Sequence, residues 1–507
     1  MEVYYFGKKV DVEDKKLFID RITKELGCIE FPYSWSEERD SEVVFDRILN
    51  YDPDVVQKTF RLSNVLASPE FWTLFKVNFQ GKSILIKSSK DNFEKYNTLA
   101  EKYNEGPRMK SLSHRGDTTP FDDWRNLETR RKIVENAFET GEINISSLRE
   151  SVFAISKEAR SGKITNYISV YDIFQATTVI DMAAAWGERL IAAIASKNVV
   201  RYLGTDPNKD LWEGWNEAKK ELIPYTFKKE SELPPKRFSN FITVNSGIEN
   251  LKFPRGFIGD FAIFSPPPFI GEQYSSAEGQ SIETFDSFET WFTDFMLKSI
   301  SRTASFLADG SYMIISVLDI PFLSDKQMRR EKIEGKDYKI VELLISSIQG
   351  YCPNIHYAGV IGWEGDSGKV APWWVFRKRI GDTARHQTNR ARSLLKRYYP
   401  KDLVKRIEDT DLRFRENSPF VNPTMTVANT PVNLRKIANL INDRVMSQRS
   451  QKYNSDLRNY LLALSRDITQ RYDYVSISSN TSNVIFADNI KTAIWDIILS
   501  NYREGIL

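Results

Sequence analysis

The chain has 507 residues, of which 41% are hydrophobic and 13% aromatic, and it carries a net charge of +3. That length and apolar content predict two to four domains with sizeable cores and exclude a disordered chain. No apolar run approaches the roughly 20 residues that cross a bilayer, and Met1 to Val10 lack a charged-then-apolar export pattern, so the chain reads as cytoplasmic and not secreted. The two cysteines, Cys28 and Cys352, and three isolated histidines, His114, His356 and His386, provide neither a disulfide framework nor a metal cluster, and no metal is expected. Charge is unevenly distributed: from Arg377 onward lysine and arginine exceed aspartate and glutamate by about ten, leaving the preceding part net acidic.

In chain order, residues 1–130 read as an N-terminal α+β domain. Lys16 to Leu26 has helical spacing, and Trp72 to Asn78 with Ser83 to Lys87 reads as a hairpin across Gln80-Gly81. Residues 131–164 form a helical connector, from the periodic segments Leu127 to Gly141 and Ile145 to Arg160. Residues 165–380 alternate strands with helices: Thr177 to Asp181, a small-residue loop, the helix Glu188 to Ala195, a second strand at Val199 to Gly204, and the acidic residue Asp206. Strand, small-residue loop, helix, strand and acid make a nucleotide-type βαβ unit. Further strands are expected at Phe241 to Asn245, Phe261 to Phe264 and Ser311 to Val317, and a terminal hairpin from Tyr357 to Phe376. Residues 381–507 form a basic helical C-terminal region, with helices at Thr388 to Tyr399, Asp402 to Ile407, Pro431 to Asn442, Asp456 to Gln470 and Asn489 to Asn501.

The run Asp260 to Phe264 ends abruptly in Ser265-Pro266-Pro267-Pro268-Phe269. The prolines force the chain off the sheet at the strand's carboxyl end, where open α/β sheets place their chemistry. The same turn also serves as a rigid terminator, and the alanine loop at 183–185 also suits helix–strand packing.

Taken together, Val179 to Leu190, Tyr202 to Asn208, Asp260 to Tyr274, Trp291 to Val317, Gly359 to Gly362 and Trp374 to Arg377 resemble, in that order, the amino-directed SPPY-type S-adenosylmethionine-dependent DNA methyltransferases of phages and large DNA viruses. The resemblance covers somewhat under half of the chain. It implies a Rossmann-like class I methyltransferase sheet and S-adenosylmethionine as cofactor, with Asp181, Ala183, Ala185, Gly187, Asp206 and Glu249 around it. It implies catalysis by Ser265 with the carbonyl of Pro266, supported by Pro267 and Phe269, on an exocyclic amino group of a nucleic-acid base, DNA before RNA. Such an amine is a poor nucleophile, and the family answers by flipping the base and accepting its amino hydrogens. Arg385, Arg390, Arg392, Lys396 and Arg397 are the expected phosphate contacts.

Two positions depart from the family pattern. Pro268 stands where an aromatic usually stacks on the base, with Phe269 one place later, and Ala185 stands where the cofactor loop usually has glycine. They keep open an alternative, a methyltransferase fold serving as a nucleic-acid-binding or structural subunit of a viral or phage assembly. A third reading is modification of a nucleotide or of a planar amide on a protein. Trp373-Trp374 is expected in the core, and His114 in a loop.

Overall fold

The computed structural model describes residues 2–412 apart from 36–38, 63–64, 66–67, 76–82, 89–92, 114–115, 228–235, 255–256, 270–271, 276–279, 320–338, 366–367 and 379–384. His114 and the three helices expected beyond residue 430 lie outside the described residues.

The chain opens with β1 (Glu2–Tyr5) and β2 (Lys8–Asp11), then α1 (Lys15–Glu25), α2 (Ser41–Leu49), β3 (Val55–Lys58), α3 (Pro69–Phe75), β4 (Ser83–Lys87) and α4 (Thr98–Met109). Next come α5 (Pro120–Arg125), α6 (Leu127–Glu139), β5 (Glu142–Ile143), α7 (Ile145–Ile155) and α8 (Ile164–Ile173). The alternating part follows: β6 (Thr178–Asp181), α9 (Glu188–Ala195), β7 (Arg201–Thr205), α10 (Trp212–Phe227), β8 (Phe241–Val244), β9 (Gly259–Phe264), α11 (Lys298–Ser305) and β10 (Leu307–Ile315). Last are α12 (Ile340–Tyr351), β11 (Ile355–Glu364), β12 (Val370–Lys378), α13 (Arg385–Tyr398) and α14 (Lys401–Asp409).

Nine described strands form one sheet in the order β3-β4-β11-β12-β10-β9-β6-β7-β8. From β10 to β8 the neighbours are parallel, while β12 runs antiparallel to both β10 and β11. Seven strands from β11 to β8, parallel except for the reversed β12 of the terminal hairpin, are the Rossmann-like class I methyltransferase arrangement. The chain leaves β6 toward β7 and β8 and then returns to lay β9 on the other side of β6. The crevice above the carboxyl ends of β6 and β9 is therefore the topological switch point of the sheet.

Period-two alternation builds the layers. Val179, Tyr202, Phe261, Ile263, Ile314, Trp373 and Val375 enter one core with α8, α9 and α10. Their sequence neighbours Ile180, Leu203, Ala262, Phe264, Ile315, Trp374 and Phe376 enter a second core with α11, α12, α13 and α14. Each such fully buried side chain contributes about 1.5–3 kcal/mol.

Three expectations change. The segment expected as the strand Trp72 to Asn78 is instead helical over Pro69–Phe75, so β4 finds its partners elsewhere, pairing parallel with β11 and antiparallel with β3. Two strands from the first 130 residues therefore extend the sheet assigned to residues 165–380. The helix expected to reach Arg160 stops at Ile155, and residues 156–163 run without helix or strand toward the switch point. The strand expected from Ser311 starts earlier, at Leu307, with an irregularity inside β10 where Gly310 has φ +82°.

Candidate active site

A cavity of about 330 Å³ lies at the carboxyl ends of the central strands, and its lining includes three groups of residues brought from distant parts of the chain. Ala183, Ala185 and Trp186 come from the loop after β6, Asp206 to Asn208 and Gly247 to Glu249 from the ends of β7 and β8, and Ser265, Pro266 and Pro267 from the turn after β9.

The loop after β6 is held by its backbone. Met182 N donates to Ile263 O at 2.9 Å and Ala184 N to Thr205 O at 2.8 Å, which ties the loop to both neighbouring strands. Ala185 has φ +47°, left-handed for a residue with a Cβ. Two bonds fix it there: its N–H donates to Asp206 Oδ2 at 3.1 Å, and its carbonyl accepts from Trp215 Nε1 at 3.1 Å. Gly187, at φ +97°, begins α9 but is not among the cavity-lining residues.

Asp206 accepts a second backbone bond, from Asn208 N at 3.0 Å, and still faces the cavity. Burial raises its pKa to about 6 against the pull of those two bonds. Glu249 lines the far side, where burial also raises its pKa, and its Oε2 is buried without a hydrogen-bond partner. A buried acceptor of this kind fits a ligand that brings a donor. Asp181 sits below the loop, outside the lining. It accepts from Arg189 Nε at 2.8 Å and Tyr202 OH at 2.6 Å, so its role here is to seat Arg189.

At the other side, the Ser265 hydroxyl has no hydrogen bond among the described residues, and no described group donates to the Pro266 carbonyl; both residues face the cavity. Phe269 is directed away from it, into an aromatic cluster with Phe288 at 5.9 Å and Trp291 at 6.0 Å between ring centroids.

Several lining residues escaped sequence reasoning. Trp373 was expected in the core with Trp374; it is buried yet lines the cavity, whereas Trp374 is tied down by Nε1 donating to Val317 O. Trp363, Trp186, Tyr274 and Arg189 also line it. The signal available was strand alternation along β11, which sets Trp363 on the same face as Ile361.

The basic helix α13 is not a free cationic face. Arg392 Nε donates to Gly350 O at 2.8 Å, Lys396 pairs with Glu408 at 3.0 Å and Arg397 with Glu70 at 2.8 Å. Arg390 is exposed, and Arg385 lies in the first turn of the helix. None of the five lines the cavity.

No protein-family model matches the chain, and no curated protein matches it. Solved structures that overlap it include the N-methyltransferase NodS from Bradyrhizobium japonicum WM9, at 10% identity and TM-score 0.24, covering 42% of this chain and 94% of that one. A putative rRNA methylase from Clostridium thermocellum overlaps at 14% identity and TM-score 0.24, covering 44% of this chain and all of its own. A putative O-methyltransferase from Klebsiella pneumoniae overlaps at 9% identity and TM-score 0.25, covering 49% and 88%. The strand order, rather than these overlaps, defines the fold. Among the described residues no helix is long and apolar enough to cross a membrane, and no cluster of metal-binding side chains is present.

Proposed function

We propose that this chain transfers a methyl group from S-adenosylmethionine to an exocyclic amino group of a nucleic-acid base, DNA before RNA. The observation that carries this reading is one cavity, at the switch point, that joins Ala183, Ala185, Asp206 and Glu249 to Ser265 and Pro266. The small side chains leave the loop backbone open to a ligand, Asp206 presents a carboxylate suited to ribose hydroxyls, and the partnerless Glu249 Oε2 suits an adenine amino donor. When bound, the cofactor supplies an electrophilic methyl on a sulfonium.

The chain's own part is positioning. Ser265 Oγ and Pro266 O, to which no described group donates, would accept hydrogen bonds from the two hydrogens of the amine. This would orient its nitrogen toward the cofactor and draw its lone pair out of ring conjugation. Proline at 266 and 267 fixes the turn, so little motion is left to lose on binding.

A tritiated-methyl transfer assay on DNA and RNA, run beside calorimetric titration with S-adenosylmethionine, tests this. Transfer to base amines is the expected result, with Ser265→Ala lowering kcat by about 100-fold while cofactor affinity holds. Absence of cofactor binding at millimolar concentration would sink the reading. Cofactor binding without transfer to any nucleic acid would favour the second one, a fold retained for binding or assembly. Pro268 and the inward-turned Phe269 motivate that alternative.

A further inference from the structure

Three walls of the cavity are fastened from behind by one helix, α4, that contributes no lining residue of its own. Asn104, Arg108 and Ser111, spaced four and three residues apart as on one helix face, each hold a different wall. Asn104 Nδ2 donates to Trp186 O, in the loop after β6, at 3.0 Å. Arg108 Nη1 donates to Ala159 O at 3.0 Å, at the head of the 160–163 stretch that lines the cavity. Just past the helix, Ser111 Oγ donates to Tyr274 O at 2.8 Å, and Leu112 and Gln273 exchange backbone bonds of 2.8 and 3.1 Å in an antiparallel bridge. Tyr274 lines the cavity beyond the proline turn.

The helix is broken where it meets the first wall. Pro107 brings no N–H to Tyr103 O, and Asn104 departs from helical geometry at φ −135° and ψ 15°. Asn104 is 2% exposed, and its Oδ1 is buried without a partner among the described residues. Before the break, Lys102 and Tyr103 donate to the Glu221 carboxylate of α10 at 2.6 and 3.1 Å. After it, Arg108 and Ser111 hold the 158–163 segment and the 273–275 loop. Trp186, at the first wall, touches both of these: its Nε1 donates to Arg160 O at 3.1 Å, and its ring lies 5.7 Å from that of Tyr274.

We propose that α4 is a hinged brace: its second half moves the 158–163 segment and the 273–275 loop as one body, and Asn104 is the positioning residue that ties this body to the loop after β6. Opening one wall then opens the others. A ligand that fixes the loop after β6 tightens the wall beyond the proline turn, and by linkage the reverse also holds. Access to both ends of the cavity thereby comes under the control of the N-terminal residues. The ligand part of the inference rests on the methyl-transfer reading of the cavity; the mechanical part does not.

Hydrogen exchange of the full chain, followed by mass spectrometry, tests both parts. Ser111→Ala, which removes the hydroxyl tie to Tyr274 O, is expected to speed exchange about fivefold at 272–275 and by the same factor at 158–163. The helix α12, on the opposite face of the sheet, keeps the parent rate. Tyr274→Leu removes the ring contact with Trp186 but keeps the backbone ties, and it is expected to leave 158–163 unchanged. A rise confined to 272–275 in Ser111→Ala, no rise at all, a rise shared with α12, or an equal response at 158–163 in Tyr274→Leu overturns the brace. With S-adenosylhomocysteine at saturation, exchange at 109–113, which does not line the cavity, should slow in the parent and not in Asn104→Ala, although 183–187 slows in both. Equal slowing of 109–113 in the two proteins overturns the hinge at Asn104. Failure of S-adenosylhomocysteine to bind sinks the methyl-transfer reading, and the ligand-free comparison then decides the brace by itself.

Discussion

Asp206 meets two opposed demands. Burial raises its pKa from 3.8 to about 6, so its charged form is costly in the folded chain, yet that charged form is the one suited to accept ribose hydroxyls. A raised folded pKa means the group's contribution to stability is complete below pH 3.8 and is lost as pH rises through about 6. Binding runs the other way. Cofactor affinity should fall about tenfold between pH 7 and pH 5 as the carboxylate protonates, and calorimetry across that range measures it. Asp206→Asn should bind weakly with a flat profile while gaining on the order of 2 kcal/mol in urea unfolding at pH 7.5; a gain in both would contradict the assignment. Ala185 makes a related point about backbone. At φ +47° an alanine is strained by about 1 kcal/mol, close to what glycine would cost in chain entropy, about 0.5–1 kcal/mol. Ala185→Gly should therefore change stability by less than about 1 kcal/mol. Ala185→Val, β-branched at positive φ, should lose about 2 kcal/mol or more and release cofactor.

At the scale of elements, α4, α7 and the 156–163 segment meet through buried charge. Arg108 pairs with Glu101 at 2.7 Å and with Glu158 at 3.0 Å, and Arg149 pairs with Glu105 at 2.7 Å and also with Glu158. Three carboxylates share two guanidinium groups, and burial, opposed by Arg108, raises the pKa of Glu101 from 4.5 to about 7. The contribution of Glu101 is complete below pH 4.5 and is lost as pH rises toward and past about 7, whereas Glu158, whose pKa is lowered by Arg108 and Arg149 against the effect of burial, contributes stability that is lost only as pH falls. Urea midpoints should therefore decline from pH 6 to pH 8, and Glu101→Gln should flatten the decline; an unchanged slope in that variant would remove Glu101 from the account. Arg149→Ala, which leaves buried Glu105 without its cation and Glu158 with Arg108 alone, should cost about 3–5 kcal/mol. None of this network was legible in sequence, because its members are spread over residues 101–158 and meet only through tertiary packing. Local rules succeeded where local forces decide: the helix Glu188–Ala195 and the strands β6, β7 and β9 fall close to where pattern placed them. The mistaken strand near Trp72 shows the limit. Its aromatics fit a period of two as readily as a helix, and the deciding signal lay just before it. Ser68 Oγ accepts from Phe71 N at 3.2 Å and Pro69 starts the helix, which then sets the rings of Phe71 and Phe75 5.0 Å apart. The Ser265 turn was readable because prolines punctuate strongly; the tryptophans opposite it were not, since alternation says which face a residue takes and not whether that face is covered.

Over the whole molecule, the first 130 residues are tied to the half that carries the cavity at several places, among them the pairing of β4 with β11 and the packing of α4 against α10. The second contact is close. A Cβ at Gly214 would lie 2.3 Å from Tyr103 O and 2.4 Å from Asn104 Oδ1, and Asn104 Nδ2 in turn donates to the carbonyl of Trp186 in the loop after β6 at 3.0 Å. Backbone cannot yield there as a flexible side chain would, so glycine at 214 is what lets α10 approach. These ties predict that heat unfolds the described body in one transition. Saturation with S-adenosylhomocysteine at 100 times its Kd adds about 2.7 kcal/mol. Spread over the unfolding entropy of the roughly 350 described residues, at about 2.1 cal/mol/K per residue, this is a shift of only about 4 °C. A cavity-bearing sheet that unfolded on its own, with about half that entropy, would shift by about 7 °C. Calorimetric scans of the full chain separate the two. In Gly214→Ala, where the α4–α10 contact has to open, the scan should split, with the ligand moving only the component that contains the cavity and moving it by the larger amount. A single transition with an unchanged small shift in that variant would show that the remaining ties, the β4–β11 pairing and the contacts of α2 with α9 and α10 among them, suffice to couple the N-terminal residues to the cavity.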